Sequence, residues 1–598
     1  MSVVPAPTTT ADPTVAEAAP PRRRRRRSMR RLAPAGLIGP VTVVVGVGAI
    51  GPLIVLLLYS FGILGNIEDP GTQLYTEILG DSYFRGTFVR SLRLALTVSI
   101  VSLVVAVPLA FRISRSRGWA RTLLTCLVVL PLLINIVVRN LGWVLVLSPN
   151  GVLNSWLEPI GVSQSFLGTV TGIGLVLVHV SVPLVVLPLL ASIDRLDPAQ
   201  SEAARALGAH PAVAFVRFTL PAIAPGLLAG AVLSFVIGIG SLVTPIFLGQ
   251  GRTMVIPTLI VQQISTFRWE RAAALSMLLF ALVVGVVVAM QRISQRMARG
   301  RTERSRRRGP ILRPRPLTDA AARLNHLPTF DGLRRWVSRV YLVVMTAFLL
   351  LPMVVVLKTA VDDSQIPTAS WHGFTTEWLQ AAIREDGYRT QLLLSFRLAI
   401  VAVGLGLVLS LAASWAIARY RFPGRDAVVA FLMSPLLMPQ AALAVGFVLF
   451  FLILQTDPSF ERLLFAHVVV TIPYMTRVLV STFENIDARM EEAAAACGAR
   501  PLTVFRKITL PLVRSGVFTA CLFGFLQSFD EAAISVLIAS GDTTTLPVKL
   551  MSDMSFQPSP VGAAISAILI VAVVAVVVPL ERRFGISSSA VLAGRDDD

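Results

Sequence analysis

Three cysteines and three lysines among 598 residues are the scarcest informative side chains of this chain. Cys126, Cys497 and Cys521 have neither the spacing of a metal site nor the number for a disulfide framework. Two fall in apolar runs, where a cysteine behaves as a small buried apolar residue. None of the lysines (Lys358, Lys507, Lys549) follows a glycine, so the Gly-Lys-Ser/Thr turn that cradles nucleotide phosphates is absent. No histidine or carboxylate cluster has metal-ligand spacing. The chain therefore offers no chemistry for hydrolysing ATP and no bound metal or other cofactor. Charged residues are also few, 15% against 54% hydrophobic.

What is abundant is apolar length. Mean hydropathy is +0.72, and stretches of about 20 apolar residues can each cross the hydrocarbon core as a helix. Twelve such stretches stand near 37–59, 90–111, 122–147, 169–191, 222–247, 272–291, 337–358, 392–418, 427–454, 463–483, 512–539 and 560–580. Prolines interrupt the third and the ninth. The expectation is an all-α integral membrane protein.

The formal charge of +20 is almost wholly arginine. A nucleic-acid partner is one reading of such a surplus, but the arginines lie beside the spans on alternate connections, as the positive-inside rule predicts. Arg22 to Arg27 precede the first span, Arg112, Arg115, Arg117 and Arg121 fill the second connection, and Arg292, Arg296, Arg299 and Arg301 follow the sixth span. Glu68, Asp69, Glu77 and Asp81 occupy the first connection. The second half repeats the bias, with Arg419, Arg421 and Arg425 against Asp362, Asp363, Glu385 and Asp386. Both termini are expected in the cytoplasm, and no nucleic-acid partner is expected.

The domain reading follows. Residues 1–35 form a disordered basic tail, 36–291 a first six-helix half, 292–336 a basic, proline-containing linker, 337–584 a second half and 585–598 a tail. A cleavable signal peptide is not expected, because the first apolar run has full span length. Both halves enter the bilayer in the same orientation, so they are parallel repeats.

A polar segment occurs once in each half. Glu202-Ala203-Ala204 with Gly208 is followed by Leu220-Pro221; Glu492-Ala493-Ala494 with Gly498 is followed by Leu510-Pro511. The offset is 290 residues at both the glutamate (202 to 492) and the proline (221 to 511). Asp197 and Asp487 stand where a helix cap belongs. Gly208 and Gly498 stand where a left-handed residue closes the helix, and Pro211 and Pro501 where a second short helix starts. The alanines make a narrow helix able to lie deep in a groove, with the glutamate at its mouth. An ordinary solvated loop helix would not require recurrence at a fixed offset.

This pattern resembles the signature of the membrane subunits of binding-protein-dependent ABC importers, Glu-Ala-Ala, then Gly, then Leu-Pro. The resemblance covers both halves and implies the ABC type I importer permease fold, twelve transmembrane helices as two parallel six-helix repeats. It also implies that Glu202, Ala203, Ala204, Gly208, Leu220 and Pro221, with Glu492, Ala493, Ala494, Gly498, Leu510 and Pro511, form coupling helices that dock into two ATPase subunits. ATP and magnesium would then be held by those partners. A solute-binding protein would deliver substrate at the external face, and the chain would sit in a bacterial cell membrane.

The first half further resembles one permease of spermidine/putrescine importers at Pro131, Asn135, Arg139 to Trp143 and Leu220-Pro221 with Pro225-Gly226. The second resembles its partner permease at Ser528 to Ser535 and Thr544 to Pro547. The implied solute is a polyamine or related cation, with ferric iron, thiamine or a phosphonate as alternatives. Independently, Asp530 and Glu531 lie in the eleventh predicted span, where ionisable groups are costly and mark a pathway, a partner or a helix end. Gly240 and Ser241 are their first-half counterparts. Asn135 and Arg139, four residues apart, form a second intramembrane polar pair that lines the route or ties two helices. His179 and His467 are expected to serve helix packing. An ion-gradient-driven secondary transporter is the rival class, and the duplicated segment argues against it.

Overall fold

The computed structural model describes residues 35–65, 70–161, 165–197, 199, 215–307, 331–556 and 559–584. Among these, the architecture is helical, with one isolated antiparallel bridge between Asp362 and Phe374 in place of any strand. In chain order the principal helices are α1 (Ala35–Ser60), α2 (Gln73–Gly80), α3 (Ser82–Ser114), α4 (Trp119–Leu133), α5 (Ile136–Leu147), α6 (Val170–Asp194), α7 (Ala224–Gly240), α8 (Val243–Gly249), α9 (Ile256–Ser265) and α10 (Trp269–Arg307). The second half continues with α11 (Asp331–Val361), α12 (Glu377–Arg384), α13 (Asp386–Arg419), α14 (Arg425–Leu432), α15 (Gln440–Ile453), α16 (Phe460–Glu484), α17 (Arg489–Ala496), α18 (Leu510–Asp530), α19 (Leu546–Phe556) and α20 (Pro560–Phe584).

Nine helices among the described residues are long and apolar enough to cross a membrane, or ten if the bent pair α7–α8 is one span. The count falls below the twelve expected because 222–247 is bent, while 427–454 and 560–580 leave only the shorter helices Gln440–Ile453 and Pro560–Val576. The runs 122–147 and 512–539 are counted through Ile136–Leu157 and Pro501–Asp530, although each also contains a break. The run 122–147 breaks between α4 and α5 at Ile134, whose backbone is extended. The run 427–454 breaks between α14 and α15, where Pro435 and Pro439 each remove an amide donor. The run 222–247 bends by 57° after Gly240, and 512–539 breaks after Asp530. Hydropathy reports composition and is blind to these breaks.

Each half contains a three-helix bundle, α3–α6–α7 and α13–α16–α18. The first helix of each half leaves its own bundle and packs against the other half, α1 on α15 and α11 on α5. Glycine makes both crossings possible. A Cβ at Gly142 would lie 2.3 Å from the Pro352 carbonyl oxygen, and one at Gly446 would lie 2.9 Å from the Pro52 Cβ. The largest apolar core accordingly mixes residues of both halves, Leu141 and Val356 among them. On the side to which α6 and α16 run, paired arginines close both bundles alike: Arg121 bonds Asp194 and Arg425 bonds Glu484.

Candidate functional site

A cavity of about 580 Å³ opens between the two halves, walled by α4, the end of α7, the segment before α15, α16 and the end of α18. Most of its wall is leucine, isoleucine and valine. The polar exceptions are Arg139, Tyr474, Asp530 and Glu531, with Gln440, Gln527, Ser241 and Thr244. Arg139 and Glu531 are buried, at 5% and 4% exposure. Three of the four intramembrane residues singled out by sequence therefore meet in one place, although they lie about 390 residues apart along the chain.

The helix breaks position them. Asn135 is the N-cap of α5, its side-chain oxygen accepting from the Val137 amide at 2.9 Å and its carbonyl from the Arg139 amide one turn on at 3.0 Å. Its side-chain amide donates to the Phe529 carbonyl of the other half at 3.3 Å. Asn135 thus ties the halves together and is not a wall residue. Asp530 ends α18 and accepts from the Ile136 amide, so a carboxylate of the second half caps a helix of the first. A carboxylate is stabilised there by the free amides and the positive end of the helix dipole. Glu531, in the break, accepts from the Ile534 amide at 2.8 Å. Arg139 bonds the Pro131 carbonyl, one of the acceptors left open where α4 stops. Arg139 and Asp530 interact through space without direct ion-pair contact among the described residues.

The cavity is asymmetric although the fold is repeated. At the junction equivalent to Asp530 on α5, Gly240 sits against Pro439 and the Gln440 amide, so the first half supplies no acid there. An apolar chamber with two carboxylates on one wall suits a small cation with an apolar stem. Tyr474, Gln440 and Gln527 were missed in the sequence reading; each is a polar residue inside an apolar run, the signal that singled out Asp530. His179 donates from Nε2 to the Leu349 carbonyl across the halves at 3.1 Å, and His467 joins Ser528 and Ser535 at 2.8 and 3.0 Å. Both serve packing.

The second copy of the repeated segment is a short helix, α17, followed by Pro501–Val504 and a π turn into α18. Asp487 accepts from the Arg489 amide at 2.9 Å, and Gly498 has φ +84°, the left-handed stop. Glu492, Ala493, Gly498 and Pro511 are exposed, while Ala494 and Leu510 are half-buried. Glu202, Ala203, Ala204 and Gly208 of the first copy lie outside the described residues. What is described there runs in parallel: Asp197 accepts from the Ala199 amide at 2.9 Å, and a π turn over Phe215–Thr219 leads into Leu220 and Pro221. The sequence reading also missed Glu491. Its carboxylate takes two bonds from Arg419 of α13, at 3.0 and 3.2 Å, and one from the Thr509 hydroxyl at 3.0 Å.

Residues 99–299 and 402–583 each match the family of binding-protein-dependent transport system inner membrane components. The chain belongs to this family. The permease carries the family's domain twice, once in each bundle. It is 29% identical over 245 residues to the spermidine/putrescine transport system permease protein PotC of Haemophilus influenzae, which covers 41% of this chain and 95% of that protein. It is 28% identical to the putrescine transport system permease protein PotI of Escherichia coli K12 (38% and 83%). For the spermidine/putrescine permease PotB of the same strain the identity is 30% (38% and 84%). Each relative spans one half of this permease, as expected of two permeases joined in one chain. Among solved structures, the permease is similar to a chain of a bacterial alginate ABC transporter at 15% identity and TM-score 0.35, covering 43% of this chain and 98% of that one. A second alginate transporter structure, in complex with a periplasmic protein bound to an alginate pentasaccharide, matches at 22% identity and TM-score 0.37 (46% and 98%). The permease is thus a multi-pass inner-membrane protein of a transport system and not itself an enzyme.

Proposed function

We propose that this permease forms the pathway of an ATP-driven importer for polyamines. The observation that carries the reading is the apolar cavity between the halves with Asp530 and Glu531 on one wall. A polyamine alternates methylene stretches with ammonium groups. Apolar walls accommodate the former without unpaired polar groups, and a carboxylate stabilises the latter strongly in a low-dielectric setting. The names of the relatives point to the same solute class.

The chain crosses the membrane twelve times, four of the crossings being broken helices, with both termini in the cytoplasm. A binding protein delivers solute at the external face. Two ATPase subunits, which hold the ATP and magnesium, close on the segments around Glu202, Ala203, Ala204 and Gly208 and around Glu492, Ala493, Ala494 and Gly498. Leu220-Pro221 and Leu510-Pro511 pass that movement into α7 and α18. The α18 end carries Asp530, so closure of the ATPases reaches the cavity along one helix. Opening the pathway separates the halves where Asp530 caps α5, and a substrate ammonium competes with the Ile136 amide for the same carboxylate.

The test is ATPase stimulation in proteoliposomes containing the permease, its ATPase and its binding protein. Spermidine and putrescine are expected to stimulate hydrolysis, and ferric iron and thiamine are not. Stimulation by another solute removes the polyamine reading and leaves the importer. Uptake driven by a proton gradient without ATPase overturns both. Replacing Glu202 and Glu492 by glutamine together is expected to abolish solute-dependent stimulation.

A further inference from the structure

A second cavity, of about 940 Å³, lies away from the central one, between α3 and α6. In the topology proposed above both helices start on the external side and run inward. The mouth of the groove carries Arg85, Arg90 and Arg93, and no acidic residue lines it. Below them the wall turns apolar, through Val98, Val101 and Val178. From Arg93 to Val101 that wall descends about 12 Å at 1.5 Å per residue. Arg85 donates to the Leu79 carbonyl at 3.3 Å and Arg90 to the Met254 carbonyl at 2.9 Å, so neither has its charge balanced. Arg93 is exposed and has no hydrogen-bond or ion-pair partner among the described residues.

The other half supplies an internal control. Ser91 accepts from the Ile256 amide at 2.9 Å as Ser395 accepts from the Leu546 amide at 2.8 Å, which aligns α3 with α13 and makes Arg397 the counterpart of Arg93. Thr169 and Ser459 cap α6 and α16, so Val170 and Thr171 correspond to Phe460 and Glu461. In the second half the Arg397 guanidinium lies over the Phe460 ring, 4.8 Å from its centre, next to the acid at Glu461. In the first half valine and threonine leave the same place empty and the arginine uncompensated. Val170 is 39% exposed, so the space beside it is open.

We propose that the α3–α6 groove binds an anionic phospholipid of the external leaflet, its phosphate headgroup on Arg85, Arg90 and Arg93 and one acyl chain along Val98 and Val101. A guanidinium cluster recognises phosphate by charge-assisted bonds, and the apolar trough beneath it takes a chain that a soluble anion lacks.

The experiment titrates the purified full chain with palmitoyl-oleoyl phosphatidylglycerol or phosphatidylcholine and counts bound lipid by native mass spectrometry. Wild type is expected to hold one phosphatidylglycerol at least tenfold more tightly than phosphatidylcholine. Arg93→Gln is expected to weaken it about fivefold, the value of about 1 kcal/mol per basic residue at a membrane surface. Val170→Phe, which copies the filled half, is expected to remove the preference, and Arg397→Gln to leave it unchanged. A thermal scan checks that each variant is folded. Equal affinity for the two lipids, or a preference that survives both Arg93→Gln and Val170→Phe, overturns the proposal.

Discussion

Replacing Arg419 by glutamine removes the clamp that holds α17 to the membrane-embedded body. The Arg419 guanidinium spends two bonds on Glu491 and one each on the carbonyls of Phe483 (2.9 Å) and Ile486 (3.3 Å), at the end of α16. Both side chains of the pair are only 13% exposed. Breaking a buried pair by deleting one partner costs about 3–5 kcal/mol. The remaining water contact and the Thr509 hydroxyl, which still serves Glu491, reduce the cost to about 2–3 kcal/mol. At 1.4 kcal/mol per factor of ten, 2 kcal/mol raises the undocked population of α17 about thirtyfold. Amide exchange over residues 489–498 in proteoliposomes is expected to accelerate by about that factor in Arg419→Gln and in Glu491→Gln. The double variant is expected to be little worse than either single one, because the same interaction is lost. Solute carried per ATP should fall alongside. Additive effects in the double variant, or unchanged exchange in α17, would refute the clamp.

Asp530→Asn keeps the shape of the cap on α5 but removes the charge, and polyamine uptake at low solute is expected to fall about tenfold or more; unchanged uptake kinetics would remove Asp530 from the pathway. Gly142→Ala forces a Cβ against the Pro352 carbonyl and is expected to cost about 1–3 kcal/mol, read as an earlier thermal midpoint, whereas the same change at Gly71, with nothing within 4 Å, should not move it. Asp362 is buried beside the external connection. Burial alone would raise its carboxyl, but the Lys358 ammonium and the His372 amide (2.8 Å) outweigh it and hold the carboxyl below its ordinary value. Its stabilising contribution is therefore full above the ordinary carboxylate value and is lost as pH falls through the depressed one. Proteolysis of the segment 362–375 is expected to accelerate below about pH 4 in wild type, and Asp362→Asn should be equally labile across that range; a wild type indifferent to acid would contradict this.

The repeated segment was legible because its signals are local. A cap, a helix former, a left-handed stop and a proline restart occupy adjacent positions, and Asp487 and Gly498 behave as their types require. Glu491 was passed over in favour of its neighbour Glu492 because only Glu492 recurs in the other half, where Ser201 stands at the position of Glu491. The partner that singles out Glu491, Arg419, comes from a different helix. Pro131 announced an interruption in the third run, but its place was hidden for a related reason: Ile134 is as apolar as its neighbours, and only the Asn135 cap and the bond from Asn135 to Phe529 put the break there.

By itself the sequence determined a membrane protein of two like halves and the place of the duplicated polar segment. Those properties follow from the order of apolar, polar and capping residues along the chain, and they survive any arrangement of the helices. Tertiary structure alone decided that α1 and α11 cross to the opposite half, and that Asp530 caps a helix begun 394 residues earlier. It also decided that one repeat fills with Phe460 a groove which the other leaves open beside Val170. Hydropathy places a segment in the bilayer, but which faces meet depends on where glycines allow close approach and where a broken helix leaves amides to be capped.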